Sequence, residues 1–270
     1  MNASAILLER NAPPPEITSE GFTKERAKRY ASAGRAVPSA RLNEALKVDA
    51  ALDRLGLPKL NTVVELGTGQ GFGTARLLPR LAPGGRIHGI DASAFMLSEA
   101  EDDSRLQRHV GALDQLQLPD ACADFAFSIA AFHHIPNKWL TMEEVKRVLK
   151  PGARFLVVDV AHGTPAQETF DYIVRPYCTQ GHDADFLDEA WASVLARRSG
   201  MTLLSVRQEQ TDWHFDSEVQ MTAYVRDLFS LQLAESELRS LLDRWLKPYQ
   251  SGDGHWVLPW SLGFFEFGKS

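Results

Sequence analysis

Glycines at short intervals mark the part of the sequence best suited to hold a ligand against its backbone. Gly67, Gly69 and Gly71 follow an apolar run that ends at Leu66. Glycine adopts positive φ angles and carries no Cβ, so a chain that turns here can bring its main chain close to a ligand. The amide groups of a helix that begins after the turn would face that ligand. The segment therefore predicts a binding turn between a strand and a helix.

The glycine spacing also indicates what kind of ligand fits. A dinucleotide fingerprint, G-x-G-x-x-G, would need glycine where the sequence has Phe72 or Thr74. A phosphate-binding P-loop would need Gly-Lys-Ser/Thr after the turn, and none follows. We therefore expect a ligand that lacks a pyrophosphate group.

An acidic residue stands at the end of the next apolar run. Asp91 closes the segment Arg86–Asp91, where a carboxylate can accept hydrogen bonds from the two hydroxyl groups of a ribose. Aspartate at a strand end also caps helices, a role for which Ser93 competes. A glycine turn followed by an acid about 20 residues later is more specific than either feature alone. The pair predicts a ligand that contains a nucleoside.

Two adjacent histidines are the candidates for proton transfer. His133 and His134 follow the fourth predicted strand, and a neutral imidazole there can accept a proton near pH 7. Packing or capping is the alternative role for both. Asp159 ends the fifth predicted strand and could be a base or a metal ligand, but no second acid and asparagine accompany it. We therefore expect no metal, and His133 and His134 are the candidate catalytic residues.

Short apolar runs bounded by Gly, Pro, Asp or Asn predict five buried strands, and helical segments separate most of them. The predicted strands are Thr62–Leu66, Arg86–Ile90, Arg108–Gly111, Phe125–Ala130 and Arg154–Val160. The predicted helices between them are Gly73–Leu81, Ala94–Asp102 and Trp139–Leu149. This alternation favours an α/β fold with a doubly wound, Rossmann-like sheet and helices on both faces.

The last third of the chain departs from this alternation. Its predicted elements are a helix at Asp185–Ser199, a strand at Met201–Gln208, helices at Glu218–Leu233 and Glu235–Tyr249, and an aromatic strand or hairpin at His255–Lys269. The helical pair either forms a lid over a pocket or buries an extra apolar face. We expect a single domain over residues 1–270 with an arm at 1–40 and a cofactor-binding core at 41–160. The substrate-side half at 161–270 would carry a helical insertion at 216–250 and the final strand.

Composition excludes several classes of protein. The chain has 270 residues, of which 44% are hydrophobic and 24% charged, as in an ordinary globular domain. The net charge of −6, without a Lys/Arg block, argues against a nucleic-acid partner, and no apolar run reaches the roughly 18 residues of a membrane span. Cys122 and Cys178 exclude a disulfide scaffold and fit a reducing compartment. We expect a cytoplasmic protein.

Five motifs in this order resemble those of class I S-adenosylmethionine-dependent methyltransferases, in particular the small-molecule group that includes the ubiquinone and menaquinone enzymes. The motifs are Glu65–Gly71, Asp91, Gly111–Leu113, Ser128–His134 and Arg147–Gly152. The resemblance extends over roughly residues 40 to 160. It implies a seven-stranded sheet whose last strand is antiparallel, and it implies S-adenosylmethionine as the cofactor.

The resemblance assigns the methionine part of the cofactor to the glycine turn. Glu65 would orient the turn and the amino end of the methionine. The residues that would line the methionine and the ribose are Gly67, Thr68, Gly69 and Gly71.

Residues after the second, third and fourth strands would hold the rest of the cofactor. Asp91 would bind both ribose hydroxyls, whereas Ala92 and Met96 would flank the adenine. Leu113 would offer backbone contacts to the adenine edge, and Ser128 would lie beneath the methionine. In similar proteins an arm folds over the cofactor, and Tyr30, with Arg35 second, is the candidate for contact with the methionine carboxylate.

One motif departs from the family pattern. Family members often have Gly-Asp-Ala where this chain has Gly111, Ala112 and Leu113. The aspartate that would bond the adenine amino group is therefore absent, unless Asp114 replaces it. Loss of one such hydrogen bond should weaken binding by about 1–2 kcal/mol.

The sequence thus predicts methyl transfer to a small molecule, with aromatic and specialised metabolites among the candidates. One alternative is a protein of the same fold that binds the cofactor and does other chemistry. Another is a non-catalytic partner subunit, because fold alone does not fix function. Trp256 and Trp260 are core residues or part of the face of a homodimer.

Overall fold

The computed structural model describes residues 23–179 and 181–270. Ten strands lie in these ranges: β1 (Leu60–Leu66), β2 (Leu81–Asp91), β3 (Leu106–Val110), β4 (Ala123–Ile129), β5 (Leu149–Asp159), β6 (Thr202–Gln210), β7 (Trp213–Phe215), β8 (Tyr249–Gln250), β9 (Trp256–Leu258) and β10 (Ser261–Gly268).

The α-helices of the described ranges are α1 (Lys24–Ala36), α2 (Leu42–Arg54), α3 (Phe72–Leu77), α4 (Ala94–Ser98), α5 (Lys138–Val148), α6 (Pro165–Thr169), α7 (Arg175–Tyr177), α8 (Glu189–Ser199), α9 (Glu218–Leu228) and α10 (Glu235–Trp245). A π turn at Phe170–Val174 joins α6 to α7. Short 3₁₀ turns lie at Leu78–Arg80 and Phe132–His134. No helix in the described part of the chain is both long and apolar enough to cross a membrane.

Seven strands form one sheet in the order β3-β2-β1-β4-β5-β10-β6. Strands β1 to β5 pair in parallel, whereas β10 is antiparallel to both β5 and β6. The predicted α/β fold, with its seven-stranded sheet and antiparallel last strand, is confirmed. The order reverses between β1 and β4, so the turns after these two strands meet at one edge of the sheet, where open α/β sheets bind ligands.

Helices cover both faces of this sheet. Neighbouring side chains of a strand point to opposite faces, so each strand contributes to both packed layers. Val63 packs into the core cluster that includes α2 and α9. Val64 packs into the cluster that includes α5 and α8. Both valines are fully buried. Strands that are buried on both sides are continuous apolar runs, which is why β1, β4 and β5 could be recognised in the sequence.

A second sheet, in the order β7-β9-β8, was missed by the sequence prediction. Its strands are only two or three residues long, too short for an alternating pattern to be visible. Trp213 pairs with Leu258, and Trp260, which follows β9, stacks on Trp213 with ring centroids 4.5 Å apart. Trp260 is therefore a core residue.

Helix ends also differ from the sequence prediction. The helix expected at Gly73–Leu81 ends as α3 at Leu77, and Leu81 already belongs to β2. Pro79 lies between them in the 3₁₀ turn. Because proline has no amide hydrogen to donate to the preceding turn, it does not continue an α-helix.

Candidate functional site

The turn between β1 and α3 is built from glycines with positive φ angles. Gly67, Gly69 and Gly71 have φ of 72°, 54° and 85°. The amide of Gly67 donates to the carbonyl of Ile90 on β2, at 2.8 Å. A Cβ on Gly67 would lie 2.2 Å from the Cβ of Ala131, so no larger residue fits at this position. The turn therefore needs glycine both for its conformation and for its contact with the segment after β4.

Asp91 holds this turn from the end of β2. Its Oδ2 accepts a hydrogen bond from the amide of Gly69 at 2.8 Å, and its Oδ1 accepts one from the amide of Ser93 at 2.8 Å. Burial raises the pKa of Asp91, and the two amide hydrogen bonds oppose that rise. Each carboxylate oxygen can accept a further hydrogen bond. The carboxylate thus remains suited to bind ligand hydroxyls while it positions the turn.

Glu65 is a buried carboxyl group with one unused oxygen. Its Oε2 accepts a hydrogen bond from the hydroxyl of Thr74, whereas Oε1 is buried and has no partner among the described residues. Burial raises the pKa of Glu65 to about 8. A Cβ on Gly73 would lie 2.2 Å from Oε1, so glycine at the start of α3 makes room for this side chain. An unpaired carboxyl oxygen beneath the turn fits a ligand with a positively charged amino group.

The residues predicted to contact adenine lie along the same edge of the sheet. Ala92 is exposed. Met96 packs towards Gly69: a Cβ added to Gly69 would lie 3.3 Å from the Cε of Met96. The amide of Gly111 donates to the carbonyl of Asp91 at 3.0 Å, which brings the segment after β3 beside β2. In that segment Ala112 is exposed and Leu113 is half-buried.

Ser128 lies inside the protein and does not line an open cleft. It is fully buried, and its hydroxyl donates to the carbonyl of Leu66 at 2.9 Å. This bond joins β4 to the end of β1, directly before the glycine turn. Ser128 can therefore influence a ligand by supporting the turn from below. Ala130 follows with a positive φ of 48°, which directs the chain towards Gly67.

Helix α1 passes beside the glycine turn. A Cβ on Gly34 would lie 4.0 Å from the Oε1 of Gln70, and Arg35 forms an ion pair of 3.0 Å with Glu99. The hydroxyl of Tyr30 accepts a hydrogen bond from the guanidinium of Arg41 at 3.2 Å. The described part of the predicted arm thus lies at the turn, whereas residues 1–22 lie outside the described residues.

His133 is held by a buried carboxylate. Its Nδ1 donates to the Oδ1 of Asp159 at 2.7 Å, and its backbone amide donates to Oδ2 at 2.9 Å. The amide of Val160 donates to the same carboxylate at 2.8 Å. Asp159 therefore fixes the orientation of His133 through Nδ1, and Nε2 takes no part in that hydrogen bond.

A third histidine, His182, joins the pair and was missed by the sequence analysis. The ring centroid of His182 lies 4.7 Å from that of His134 and 5.5 Å from that of His133. Burial lowers the pKa of His182 to about 2 and lowers that of His134 well below the ordinary range. His182 lies in a polar loop without periodic apolar residues, so no local signal marked it. The loop is positioned by the amide of Asp185, which donates to the carbonyl of His133 at 3.0 Å.

Aromatic rings enclose these histidines. Phe170, in the π turn, and Phe186 have ring centroids 5.6 and 5.1 Å from that of His133. Single π turns in helices are frequent at functional sites. Of the other aromatic residues in this half of the chain, Trp213 and Tyr224 are buried core residues.

A cavity of about 440 Å³ lies between α1 and the end of α9. Arg26, Arg29 and Arg226 line it, together with Ser230, whose buried hydroxyl has no partner among the described residues. The guanidinium of Arg26 also donates to the carbonyl of Gly181 at 3.4 Å, one residue before His182. Arg26 therefore connects the cavity to the loop that carries His182.

Residues 64–157 match a family model described as a methyltransferase domain. The dimethylglycine N-methyltransferase of Parasynechococcus marenigrum is 28% identical over 211 residues, which cover 74% of this chain and 70% of that protein. The malonyl-[acyl-carrier protein] O-methyltransferase of Marinomonas is 26% identical over 207 residues, which cover 75% of this chain and 76% of that protein. The trans-aconitate 2-methyltransferase of Azoarcus is 35% identical over 101 residues, or 37% of this chain and 40% of that protein.

Solved structures share the fold at lower sequence identity. A phosphoethanolamine N-methyltransferase 2 of Haemonchus contortus, solved with phosphomonomethylethanolamine and S-adenosylhomocysteine, has a TM-score of 0.55 at 20% identity. The match covers 84% of this chain and 53% of that one. An S-adenosylmethionine-dependent methyltransferase of Aquifex aeolicus has a TM-score of 0.54 at 18% identity, over 91% of this chain and 98% of that one.

Proposed function

Because the chain belongs to the class I S-adenosylmethionine-dependent methyltransferases, we propose that it transfers the methyl group of S-adenosylmethionine to a small-molecule acceptor. The observation that carries the proposal is one continuous arrangement: the glycine turn, the buried Glu65 beneath it and Asp91 beside it. Such an arrangement binds an amino acid and a ribose at the same edge of a sheet.

The cofactor supplies an activated methyl group on a sulfonium, which is transferred by in-line displacement and leaves S-adenosylhomocysteine. The protein has to bind and orient the cofactor and the acceptor, and it has to exclude water from them. Glu65 would bind the ammonium group through its unpaired Oε1, and Asp91 would accept hydrogen bonds from the ribose hydroxyls. The amides of Gly67 and Thr68 donate to the carbonyl of Ile90 and that of Gly69 donates to Asp91, so the turn is fixed against the end of β2. Gly71 ends the turn and is the N-cap of α3.

The contacts to the adenine and to the methionine carboxylate are proposed from the positions of the residues around the turn. Ala92 and Met96 would flank the adenine, and the backbone of Ala112 and Leu113 would meet its edge, because both segments lie next to Asp91. Tyr30 remains the proposed contact for the methionine carboxylate. Its hydroxyl and the guanidinium of Arg41 already form a hydrogen bond, so the two would act there together.

His133 and His134 would act on the acceptor. They follow β4 at the edge where the methyl group is expected, and Asp159 keeps the proton of His133 on Nδ1. The Nε2 of His133 is therefore an electron-pair donor on the acceptor side. Its proposed role is to assist the loss of the proton that the acceptor nucleophile carries.

The charges around the cavity favour an acceptor with a negatively charged group. Arg26, Arg29 and Arg226 outnumber the acidic lining residues Glu25 and Asp227, and guanidinium groups bind carboxylates and phosphates in a bidentate manner. Three of the relatives and neighbours named above carry trans-aconitate, malonyl and phosphoethanolamine in their names. We propose a small carboxylate or phosphate ester as the acceptor class, in a cytoplasmic enzyme without nucleic-acid substrates. Whether it forms a homodimer stays a prediction.

Product analysis tests this function. The purified full chain would be incubated with S-adenosylmethionine and a panel of small carboxylates and phosphate esters, each paired with its neutral amide or alcohol. We expect a product heavier by one methyl group, with one S-adenosylhomocysteine formed per product, and preference for the anionic member of a pair. Cofactor binding without any methylated product would favour non-methylating chemistry. Absence of binding would favour a non-catalytic subunit.

Asp91→Asn tests the ribose contact without a change in side-chain size. We expect S-adenosylhomocysteine to bind about 10- to 100-fold more weakly, because hydrogen bonds to a charged group contribute about 1.5–3 kcal/mol. Titration calorimetry measures this change. Asp103→Asn, at an acidic residue that pairs with Arg105 beyond the predicted contacts, is the control. Equal affinity of Asp91→Asn and the unchanged protein would refute the assignment.

A further inference from the structure

We infer that His133, His134 and His182 form a binding site for a divalent transition-metal ion, of which Zn²⁺ is the best fit. One ligand nitrogen from each residue lies within 4.8 Å of the other two. The inference rests on the proposed function only for the catalytic use of the site. Binding of the ion itself is a separate property of these three side chains.

The spacing of the three rings suits a metal centre. Zn–N bonds of about 2.0–2.1 Å place tetrahedral ligand nitrogens roughly 3.4 Å apart, so the rings have to approach by about 1 Å. The ring centroids of His133 and His134 are already 4.0 Å apart. The third ring comes from the loop that the amide of Asp185 fastens to the carbonyl of His133. Two separate segments therefore converge on one point.

Two independent features prepare these nitrogens to bind a cation. Asp159 accepts the Nδ1 proton of His133, and this carboxylate–histidine arrangement is the one that typically orients a metal ligand and raises its basicity. The Nδ1 of His182 is buried and has no partner among the described residues. A buried nitrogen without a partner destabilises the folded protein, and a metal ion would supply that partner.

The ligand set decides the kind of ion. Three imidazoles without a carboxylate oxygen favour Zn²⁺ and its neighbours over Mg²⁺ or Ca²⁺, which take oxygen ligands. The expectation of no metal rested on the lack of a second acid and an asparagine to accompany Asp159, and it did not consider these three histidines together. Charges of both signs act around the site. The carboxylate of Asp159 favours a cation. Arg26, which binds the carbonyl of Gly181, Arg175 beside His182, and Lys138, which donates to the carbonyl of His133, oppose it.

Three protein ligands leave a fourth position open, as in catalytic zinc sites. There the oxygen, nitrogen or sulfur of the acceptor would bind and release its proton to solvent. The methyl–sulfur bond of the cofactor then breaks as the bond between methyl and acceptor forms, and neutral S-adenosylhomocysteine leaves. In this form of the mechanism His133 assists deprotonation as a metal ligand.

The test uses the full chain, purified without a histidine tag and freed of metal with a chelator. Co²⁺ is the probe, because it replaces Zn²⁺ and absorbs visible light when bound in tetrahedral geometry. We expect one Co²⁺ per chain and its displacement by one Zn²⁺. His182→Asn and His134→Asn should abolish the visible band, and Asp159→Asn should weaken binding about 10- to 100-fold. The exposed His214→Asn is the matched control and should bind as the unchanged chain does.

Thermal unfolding of each variant shows whether it still folds. The inference is wrong if the folded, unchanged chain gives no visible band and holds no metal by elemental analysis. It is equally wrong if folded His182→Asn binds Co²⁺ as tightly as the control. Methyl transfer that persists in excess chelator would overturn the catalytic use of the metal and leave the proposed function intact. Metal binding without methyl transfer to any acceptor would support the metal site and contradict the proposed function.

Discussion

Glu65 combines complete burial with a titration in the physiological range. Burial raises its pKa to about 8, and the hydrogen bond from Thr74 opposes that rise only in part. Without a ligand the carboxyl group is therefore mostly protonated at pH 7. An ammonium group placed against Oε1 would favour the charged form, and the proton would then leave.

This linkage gives cofactor binding a pH dependence with a defined sign. Binding of S-adenosylhomocysteine should release up to one proton at pH 7, so its affinity should rise between pH 6 and 8 by at most about tenfold per unit. Calorimetry in buffers of different ionisation enthalpy measures the released proton. Glu65→Gln should bind more weakly and without this slope. A slope that persists in Glu65→Gln would assign the proton to another group.

The same group affects the stability of the protein without cofactor. Its folded pKa of about 8 lies above the ordinary value of 4.5. Its stabilising contribution is therefore complete below pH 4.5 and is lost as the pH rises through 8, by at most about 1.4 kcal/mol per unit. In denaturant titrations Glu65→Gln should consequently gain stability over the unchanged chain at pH 8 and show little gain at pH 4.5.

The glycine turn is an element whose shape depends on the absence of side chains. Gly67→Ala should lose more stability than its backbone conformation alone explains, because its Cβ would contact Ala131 at 2.2 Å. Gly152→Ala is the matched control, since Gly152 has a φ of 76° and nothing lies within 4 Å of its Cβ position. The control should lose about 1–2 kcal/mol.

Denaturant unfolding and cofactor calorimetry measure both variants. Gly67→Ala should lose cofactor affinity as well, whereas Gly152→Ala should retain it. Equal losses of stability in the two variants would mean that the contact with Ala131 relaxes without cost. Unchanged cofactor affinity in Gly67→Ala would mean that the turn does not determine binding.

The elements that local patterns specify were predictable from the sequence. Strands β1, β4 and β5 are continuous apolar runs, and the turn at Gly67 and the acid at Asp91 follow two of the predicted strands. Each of these signals lies within a few residues of chain. The number of strands in the sheet and its antiparallel last strand came from resemblance to a family.

Elements that tertiary contacts create were not predictable in this way. Strands β7, β8 and β9 are too short for a pattern, and Pro79 ended a helix that periodicity extended to Leu81. His182 joins the histidines because a polar loop is fastened to the carbonyl of His133. Nothing in the residues around His182 indicates that contact. The sequence thus offered candidate residues for the cofactor side of the site and left its acceptor side incomplete.

At the scale of the whole molecule, β10 holds the sheet together. It pairs with β5 on one side and β6 on the other. Phe264 packs into the core on one face, whereas Phe265 and Phe267 pack into the core on the opposite face. A strand near the end of the described chain therefore completes both hydrophobic cores.

Phe265→Ala should destabilise the whole protein by about 3–5 kcal/mol, the usual range for removal of a buried aromatic ring. Leu204→Ala, on the neighbouring β6 and half-exposed, should change stability by less than about 1 kcal/mol. Denaturant unfolding followed by circular dichroism measures both. If the two losses were equal, or if Phe265→Ala affected only the helices of one face, β10 would not join the two cores.

The position of β10 has a consequence for biosynthesis. Strands β5 and β6 are synthesised before β10, and 50 residues separate Gln210, the end of β6, from Ser261, the start of β10. At 5–20 residues per second, β6 then waits roughly 3–10 s for its partner. During that interval the nascent polypeptide exposes two unpaired strand edges, which are prone to associate with other chains. A chaperone that shields these strand edges would raise the yield of the folded protein without altering its structure.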